Sequence, residues 1–134
     1  MKRKCRINTQ EIYQWKAQLN IDGSKQEKGI NYWETYAPVA SWPIIPLILT
    51  LSIVKGWKTR QIDFVMAYTQ AKVETDTLYM QIPPGFEVPG SQKGDYVLQI
   101  LQNICGQKQA GHVWNQHLVS KLQSVGFVQS QVDE

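Results

Sequence analysis

Cysteine is scarce in this chain. Cys5 and Cys105 are the two present in 134 residues, they stand far apart, and no CxxC pair occurs. A disulfide framework and a zinc ribbon are thereby excluded, and a reducing compartment suits the chain. Long apolar runs are missing as well. The richest, IIPLILTLSIV at 44–54, carries a proline and falls short of the roughly 20 residues of a bilayer span. The basic start MKRKC is followed by polar residues rather than by the apolar stretch of a secretion signal. The expectation is an intracellular protein, cytoplasmic or nuclear, neither secreted nor membrane-inserted. Gly/Ser tracts, charge runs and repeats are also lacking, which argues against a linker or a disordered tail.

What is present points to a packed globule. The hydrophobic share is 43%, with five Trp and six Tyr, and 134 residues suffice for one domain or a piece of one. Charge is uneven: ten Lys/Arg face four Asp/Glu through Arg60, and four face seven beyond it. A basic lobe beside an acidic one suits a protein that holds a phosphate backbone on one side and metal ions on the other. A solvated basic face explains the same asymmetry.

Along the chain the pattern alternates between strand and helix signals. KRKCRINTQEIYQWK reads as a hairpin, with Ile12, Gln14, Lys16 and Gln18 on one face and Tyr13, Trp15, Ala17 and Leu19 on the other. Asp22-Gly23 supplies turn chemistry and opens a polar loop. SWPIIPLILTLSIVKG reads as a helix with Ser41 as N-cap, Pro43 and Pro46 in the first turn and Gly56 as the stop. Apolar residues occur almost all round it, so it is expected to lie buried against a sheet. Short strands are expected at Leu78–Ile82 and in DYVLQIL, followed by a helix in GHVWNQHLVSKLQSVGF ended by Gly126, with Val113, Trp114, His117, Leu118, Lys121 and Leu122 near one face. The class is α+β, an antiparallel sheet with packed helices.

RQIDFVMAY, from Arg60 to Tyr68, has strand composition with one carboxylate among apolar residues. Asp63 is then on a wet face, paired, or holding a metal ion, and Tyr68 by itself is a core aromatic. Glu74 and Asp76 fit a turn or the surface. Cys105, His112 and His117 do not make a zinc site, because histidines five apart on a helix point apart.

Four ordered blocks are more specific than any of these signals. ETYAPVA (Glu34–Ala40), QIDFVMAYTQA (Gln61–Ala71), LYMQIPPGFEVPG (Leu78–Gly90) and GQKQAGHVW (Gly106–Trp114) resemble, in order and spacing, the reverse transcriptase of copia-type LTR retrotransposons. The resemblance runs from about Lys16 to the end. It implies a reverse-transcriptase-like fold, with a fingers-like part at 1–55 and a partial palm at 56–134.

It also implies roles. Asp63 matches the first catalytic aspartate, where Mg2+ ions held by aspartates activate the primer hydroxyl and steady the pyrophosphate, with the Phe64 backbone carbonyl as a further ligand. Tyr68 matches the aromatic that excludes the ribose 2′ hydroxyl, and Gly106, Lys108 and Gln109 match the segment lining the nucleotide and template pocket. Template-primer of RNA or DNA, and deoxynucleotides, would be the partners. Lys2, Arg3, Lys4, Arg6 and Lys16, with Tyr13 and Trp15, are the candidate nucleic-acid contacts.

Departures from the family are equally specific. KARLVAKG becomes KAQLNIDG, so Gln18 and Asp22 replace two cations that, by resemblance, contact the triphosphate. By resemblance, Val65 and Met66 replace a lysine and a small polar residue, Gln70-Ala71 replaces an Asn-Gly turn, and LYGLKQAPRAW becomes ICGQKQAGHVW, with Cys105 for Tyr, Gln107 for Leu, Gly111 for Pro and His112 for Arg. The second catalytic pair, expected in a Tyr-Val-Asp-Asp-like hairpin, would lie beyond Glu134, since Asp133 comes too early. Three readings follow: a polymerase fragment inactive without a downstream half, a nucleic-acid-binding module derived from one, or a relic without activity.

Overall fold

The computed structural model describes residues 2–5, 9–75, 78–86, 88–92 and 94–130. Arg6, Asp76 and Asp133 lie outside the described residues, as do the side chains of Lys2, Arg3 and Tyr13. The architecture is α+β, with four short strands and two α-helices among the described residues: β1 (Lys2–Cys5), β2 (Ile12–Lys16), α1 (Ile44–Lys55), β3 (Tyr79–Gln81), β4 (Val97–Gln99) and α2 (Ala110–Ser124).

The expected first hairpin is present. β1 and β2 pair antiparallel, Lys2 opposite Lys16, Arg3 opposite Trp15 and Lys4 opposite Gln14, with an irregularity before Cys5. Its alternation does not produce a buried face, because Ile12, Trp15 and Leu19 are all exposed. β3 and β4 form the second antiparallel pair, Tyr79 opposite Gln99 and Gln81 opposite Val97. The pairing continues towards the chain's middle: Ile100 N donates to Leu78 O at 2.8 Å, and Lys72 bridges Gln102. Asn103 clasps this end, its Nδ2 donating to the carbonyls of Ala71 and Lys72 at 3.1 and 2.9 Å. Among the described residues, two separate two-stranded sheets stand in place of the single expected one.

RQIDFVMAY is not a strand. Residues 57–64 follow an irregular path, 65–67 turn, and Tyr68–Gln70 form a 3-10 turn. Strand composition alone does not make a strand without a neighbour to complete its hydrogen bonds, and neither sheet includes this segment. The turn is held locally, by Gln70 Nε2 donating to Val65 O at 2.9 Å and Thr69 Oγ1 to Met66 O at 2.8 Å.

α1 ends where expected, with Gly56 in the left-handed region at φ 66° and its N–H returning to Ile53 O. Pro43 rather than Ser41 is the capping residue. The expected burial is not found: Ser52 is the buried residue of α1, and no other described helix or strand packs on it. α2 does pack. Ala110 and Val113 are buried, Trp114, His117 and Leu118 are half-buried, while Lys121 and Leu122 in its last turn are exposed. The buried apolar residues are Ala71, Leu78, Ile100, Ala110 and Val113: Leu78 and Ile100 continue the β3–β4 pairing, and Ala110 and Val113 lie at the start of α2.

Candidate functional site

The first turn of α2 is the meeting point of the sequence blocks. From one side, Phe64 sets its ring edge-on to Trp114, centroids 5.3 Å apart at 68°, and Trp114 in turn stacks on His117 at 5.8 Å. An edge-to-face pair of this kind contributes about 0.5–1.5 kcal/mol beyond area burial. The 3-10 turn that begins at Tyr68 packs against α2. From another side, the carbonyl of Tyr36 meets His112 Nδ1, and Gln116 Nε2 lies 2.9 Å from His112 Nε2. A carbonyl only accepts, so the neutral ring carries its proton on Nδ1 and accepts from Gln116 on Nε2. Glu34 prepares this segment by accepting from the amides of Tyr36 and Thr35 at 2.9 and 2.7 Å. Those two bonds, Tyr36 first, hold its carboxyl below the usual glutamate range.

The loop before α2 is docked onto the Ile21–Gln26 segment. Ile21 N donates to Cys105 O at 2.9 Å. Gln26, itself buried, joins three partners: its Nε2 donates to Gln109 Oε1 at 3.0 Å, its Oε1 accepts from Lys108 N at 2.8 Å, and its carbonyl accepts from Lys108 Nζ at 3.0 Å. Lys108 Nζ also lies over the Tyr32 ring, 5.2 Å from its centre, in cation–π geometry. Gln109 is 1% exposed. Gln107, also buried, accepts from Ile104 N at 2.7 Å, whereas its Nε2 and the Oδ1 of buried Asn103 have no partner among the described residues.

The residues assigned from the sequence therefore fall into three places. Asp63 is exposed on the irregular segment, next to the Phe64 whose ring meets Trp114, and Tyr68 is half-buried on the turn that packs against α2. Gly106, Lys108 and Gln109 line a seam between two loops. Lys4 and Lys16 are exposed on the hairpin, with Lys2 and Arg3 in register on β1. Gln26, Gln107 and Asn103 carry much of the polar structure, and they escape a sequence reading because an amide in a polar loop has no periodic or spacing signal. A pocket of about 320 Å³ opens between the 20–31 loop and β3, with Asp22, Lys25, Asn31, Tyr79, Gln81 and Gln107 among its lining. Its lining includes neither Asp63 nor Tyr68.

A two-magnesium centre needs several oxygen ligands in near-octahedral array. Among the described residues, no three of His, Cys, Asp and Glu converge into a set that could hold a metal ion. The donors at Asp63 do not fit such a centre by themselves. No helix is long and apolar enough to cross a membrane, among the described residues.

Comparison with known proteins agrees with this block order. The family model described as reverse transcriptase (RNA-dependent DNA polymerase) matches residues 2–134. The chain is 37% identical over 119 residues to the retrovirus-related Pol polyprotein from transposon RE2 of Arabidopsis thaliana, covering 89% of this chain and 8% of that protein. Against the Pol polyprotein from transposon RE1 of the same plant it is 34% identical over 122 residues, covering 91% and 8%. Against that from transposon TNT 1-94 of Nicotiana tabacum it is 30% identical over 123 residues, covering 92% and 9%. The chain thus spans under a tenth of the length of these curated relatives. No solved structure matches it. A match along almost its whole length, with relatives of one kind, establishes that the chain belongs to the reverse transcriptase (RNA-dependent DNA polymerase) family, as found in copia-type retrotransposon Pol polyproteins.

Proposed function

We propose that this chain is the first part of a reverse transcriptase domain, fingers-like over 1–55 and partial palm over 56–134, and that it does not polymerise by itself. Its Asp63 stands for the first catalytic carboxylate, with the Phe64 carbonyl beside it and Tyr68 as the sugar-sensing aromatic. Gly106, Lys108 and Gln109 belong to the nucleotide-proximal segment. Template-primer of RNA or DNA and deoxynucleotides are the partners of the complete domain, and a downstream polymerase half is the partner of this chain.

The observation that carries inactivity is that Asp63 belongs to no group of three or more His, Cys, Asp or Glu able to hold a metal ion among the described residues. The family usually uses Mg2+, and one carboxylate does not hold a pair of such ions. Gln109 supports the reading in a second way, since it is bonded to Gln26 and buried, so it serves the seam rather than a free nucleotide edge. The test is primer extension on an RNA template by the purified chain. No extension is expected; extension that disappears in Asp63→Asn would overturn the proposal.

One observation favours a second reading, a nucleic-acid-binding module. Lys16 is exposed on the hairpin, in register with Lys2 of β1, and exposed cations attract a phosphate backbone. With Lys4 and an exposed Trp15 on the same hairpin, backbone phosphates and an unstacked base are suitable ligands. Absence of binding to single-stranded RNA and DNA at low salt would remove this reading.

A further inference from the structure

The pocket between the 20–31 loop and β3 is lined by residues of two kinds. Leu78, Ile100 and Gln107 are buried, whereas Asp22, Lys25 and Tyr79 are exposed. Gln107 is 6% exposed. Its Oε1 is taken by the Ile104 amide at 2.7 Å, and its Nε2 has no partner among the described residues. Gln26, the other buried amide of the lining, has both ends engaged, with Gln109 and with Lys108. One buried donor beside two apolar side chains is therefore left for an oxygen that the pocket admits, since an unmet donor carries its full desolvation cost. A well-held internal water makes about three hydrogen bonds. Against Leu78 and Ile100 a water on Nε2 is poorly held, and it yields to a ligand oxygen attached to an apolar body.

From this we infer that the pocket is a binding site for a small, uncharged aromatic ring that carries a carbonyl. The oxygen accepts from Gln107 Nε2, and the ring lies on Leu78 and Ile100 beside Tyr79. Size, polarity and charge select this chemistry. The volume of about 320 Å³ is at the lower end of ligand pockets, about 300–1,000 Å³, and suits a single ring system. The unpartnered group only donates, so it calls for an acceptor. Asp22 and Lys25 are the charged residues among the described lining and offset one another, while an anion against Leu78 and Ile100 would be buried without a paired cation. The site is separate from the one proposed for polymerisation, because its lining includes neither Asp63 nor Tyr68. The family resemblance does not supply it either. By that resemblance Asn20, Asp22 and Gln107 stand where the motifs KARLVAKG and LYGLKQAPRAW have Val, Lys and Leu, and all three departures meet in this lining.

The test is a titration of the isotope-labelled full chain with nicotinamide, a neutral aromatic amide, followed by heteronuclear NMR at the Gln107 side-chain amide. A saturable shift is expected, with a dissociation constant in the millimolar range that suits so small a ligand. Nuclear Overhauser contacts should join its ring protons to the methyl groups of Leu78 and Ile100. The constant should change by less than about twofold between low and high salt, since a neutral ligand is not screened. Nicotinate, similar in shape but anionic, should bind at least about tenfold more weakly. Gln107→Leu removes the donor and should weaken nicotinamide at least about tenfold. If that variant loses its fold, the contacts to Leu78 and Ile100 in the unaltered chain decide the matter. No saturable shift up to about 100 mM, contacts elsewhere on the chain, nicotinate binding as tightly as nicotinamide, or full affinity in Gln107→Leu would each overturn the inference. Displacement of nicotinamide by deoxythymidine triphosphate would overturn it as well, by making the pocket part of the nucleotide path.

Discussion

Gly23 and Gly106 touch backbone to backbone. A Cβ on Gly23 would run into the Gly106 carbonyl oxygen, and one on Gly106 would run into the carbonyl oxygen of Ile21. This close approach lets Gln26 reach both Lys108 and Gln109, so the seam depends on two residues without side chains. Gly106 is also at φ 96°, which an L side chain adopts at a cost of about 1–3 kcal/mol. Gly106→Ala should therefore be more damaging than Gly23→Ala, which carries the collision without the dihedral strain. Amide exchange of Ile21, whose N–H is bonded to Cys105 O, is the local readout: protection should fall in both variants, and further in Gly106→Ala. Equal protection in wild type and variants would contradict the contact.

Gln26 satisfies groups on both sides of that seam. Gln26→Leu keeps the bulk but leaves the part-buried Lys108 amide and the buried Gln109 Oε1 without their partners, the latter at about 1–3 kcal/mol. Exchange of the Lys108 amide should accelerate and the urea midpoint should drop. The double variant Gln26→Leu with Gln109→Leu removes two of these polar groups together and should recover part of the loss, because a fully apolar pair costs less than half of a polar one.

Met66, which by resemblance stands where the family carries a small polar residue, is at φ 52°. A left-handed conformation suits Asn or Gly and not a long side chain. Met66→Asn and Met66→Gly should each raise stability by roughly 0.5–1 kcal/mol, measured as a shift in urea midpoint. Met66 is 70% exposed, so no packing is forfeited. A loss of stability in both variants would show that the turn before Tyr68 is set by contacts rather than by this dihedral.

How far these features were legible follows from their physics. Gly56 ending α1, the paired segments around Met80 and Leu98, and the α2 helix rest on local rules of capping, alternation and periodicity, and those appeared where the sequence placed them. The strand expected at Asp63 did not form, because strand identity belongs to a pair and no partner strand lies beside it. Burial of α1 was inferred from its composition and depends on what surrounds it, which composition does not supply. Asp63, Tyr68 and the 106–109 loop are assigned through block order alone, whereas the Gln26 bonds join residues distant in sequence whose side chains have no periodic signature.

Asp22, which by resemblance stands where the family carries a lysine, caps a turn. Its Oδ1 accepts from the Ser24 hydroxyl at 2.6 Å and the Ser24 amide at 3.2 Å, capping the 3-10 turn Gly23–Lys25. The hydroxyl bond, then the amide bond, hold its carboxyl below the usual aspartate value, with Lys25 adding to them. A depressed folded-state value means the contribution is complete above the ordinary value of about 4 and is lost as pH falls through the lowered one. The Ser24 amide shift should therefore stay constant from neutral pH down to about pH 4 and move only in stronger acid. Asp22→Asn should abolish that movement while retaining an acceptor. Asp22→Lys removes the acceptor and should unfasten the turn, yet it restores the cation that the family resemblance assigns to the triphosphate. Exchanging a negative for a positive charge near a polyanion is worth about 1 kcal/mol per unit charge at 4 Å in water, so affinity for a deoxynucleoside triphosphate should rise at least about tenfold at low salt by calorimetry. If the lysine loosens Ser24 without strengthening triphosphate binding, position 22 no longer faces the nucleotide path, and the loss of that cation accompanied a rebuilt loop.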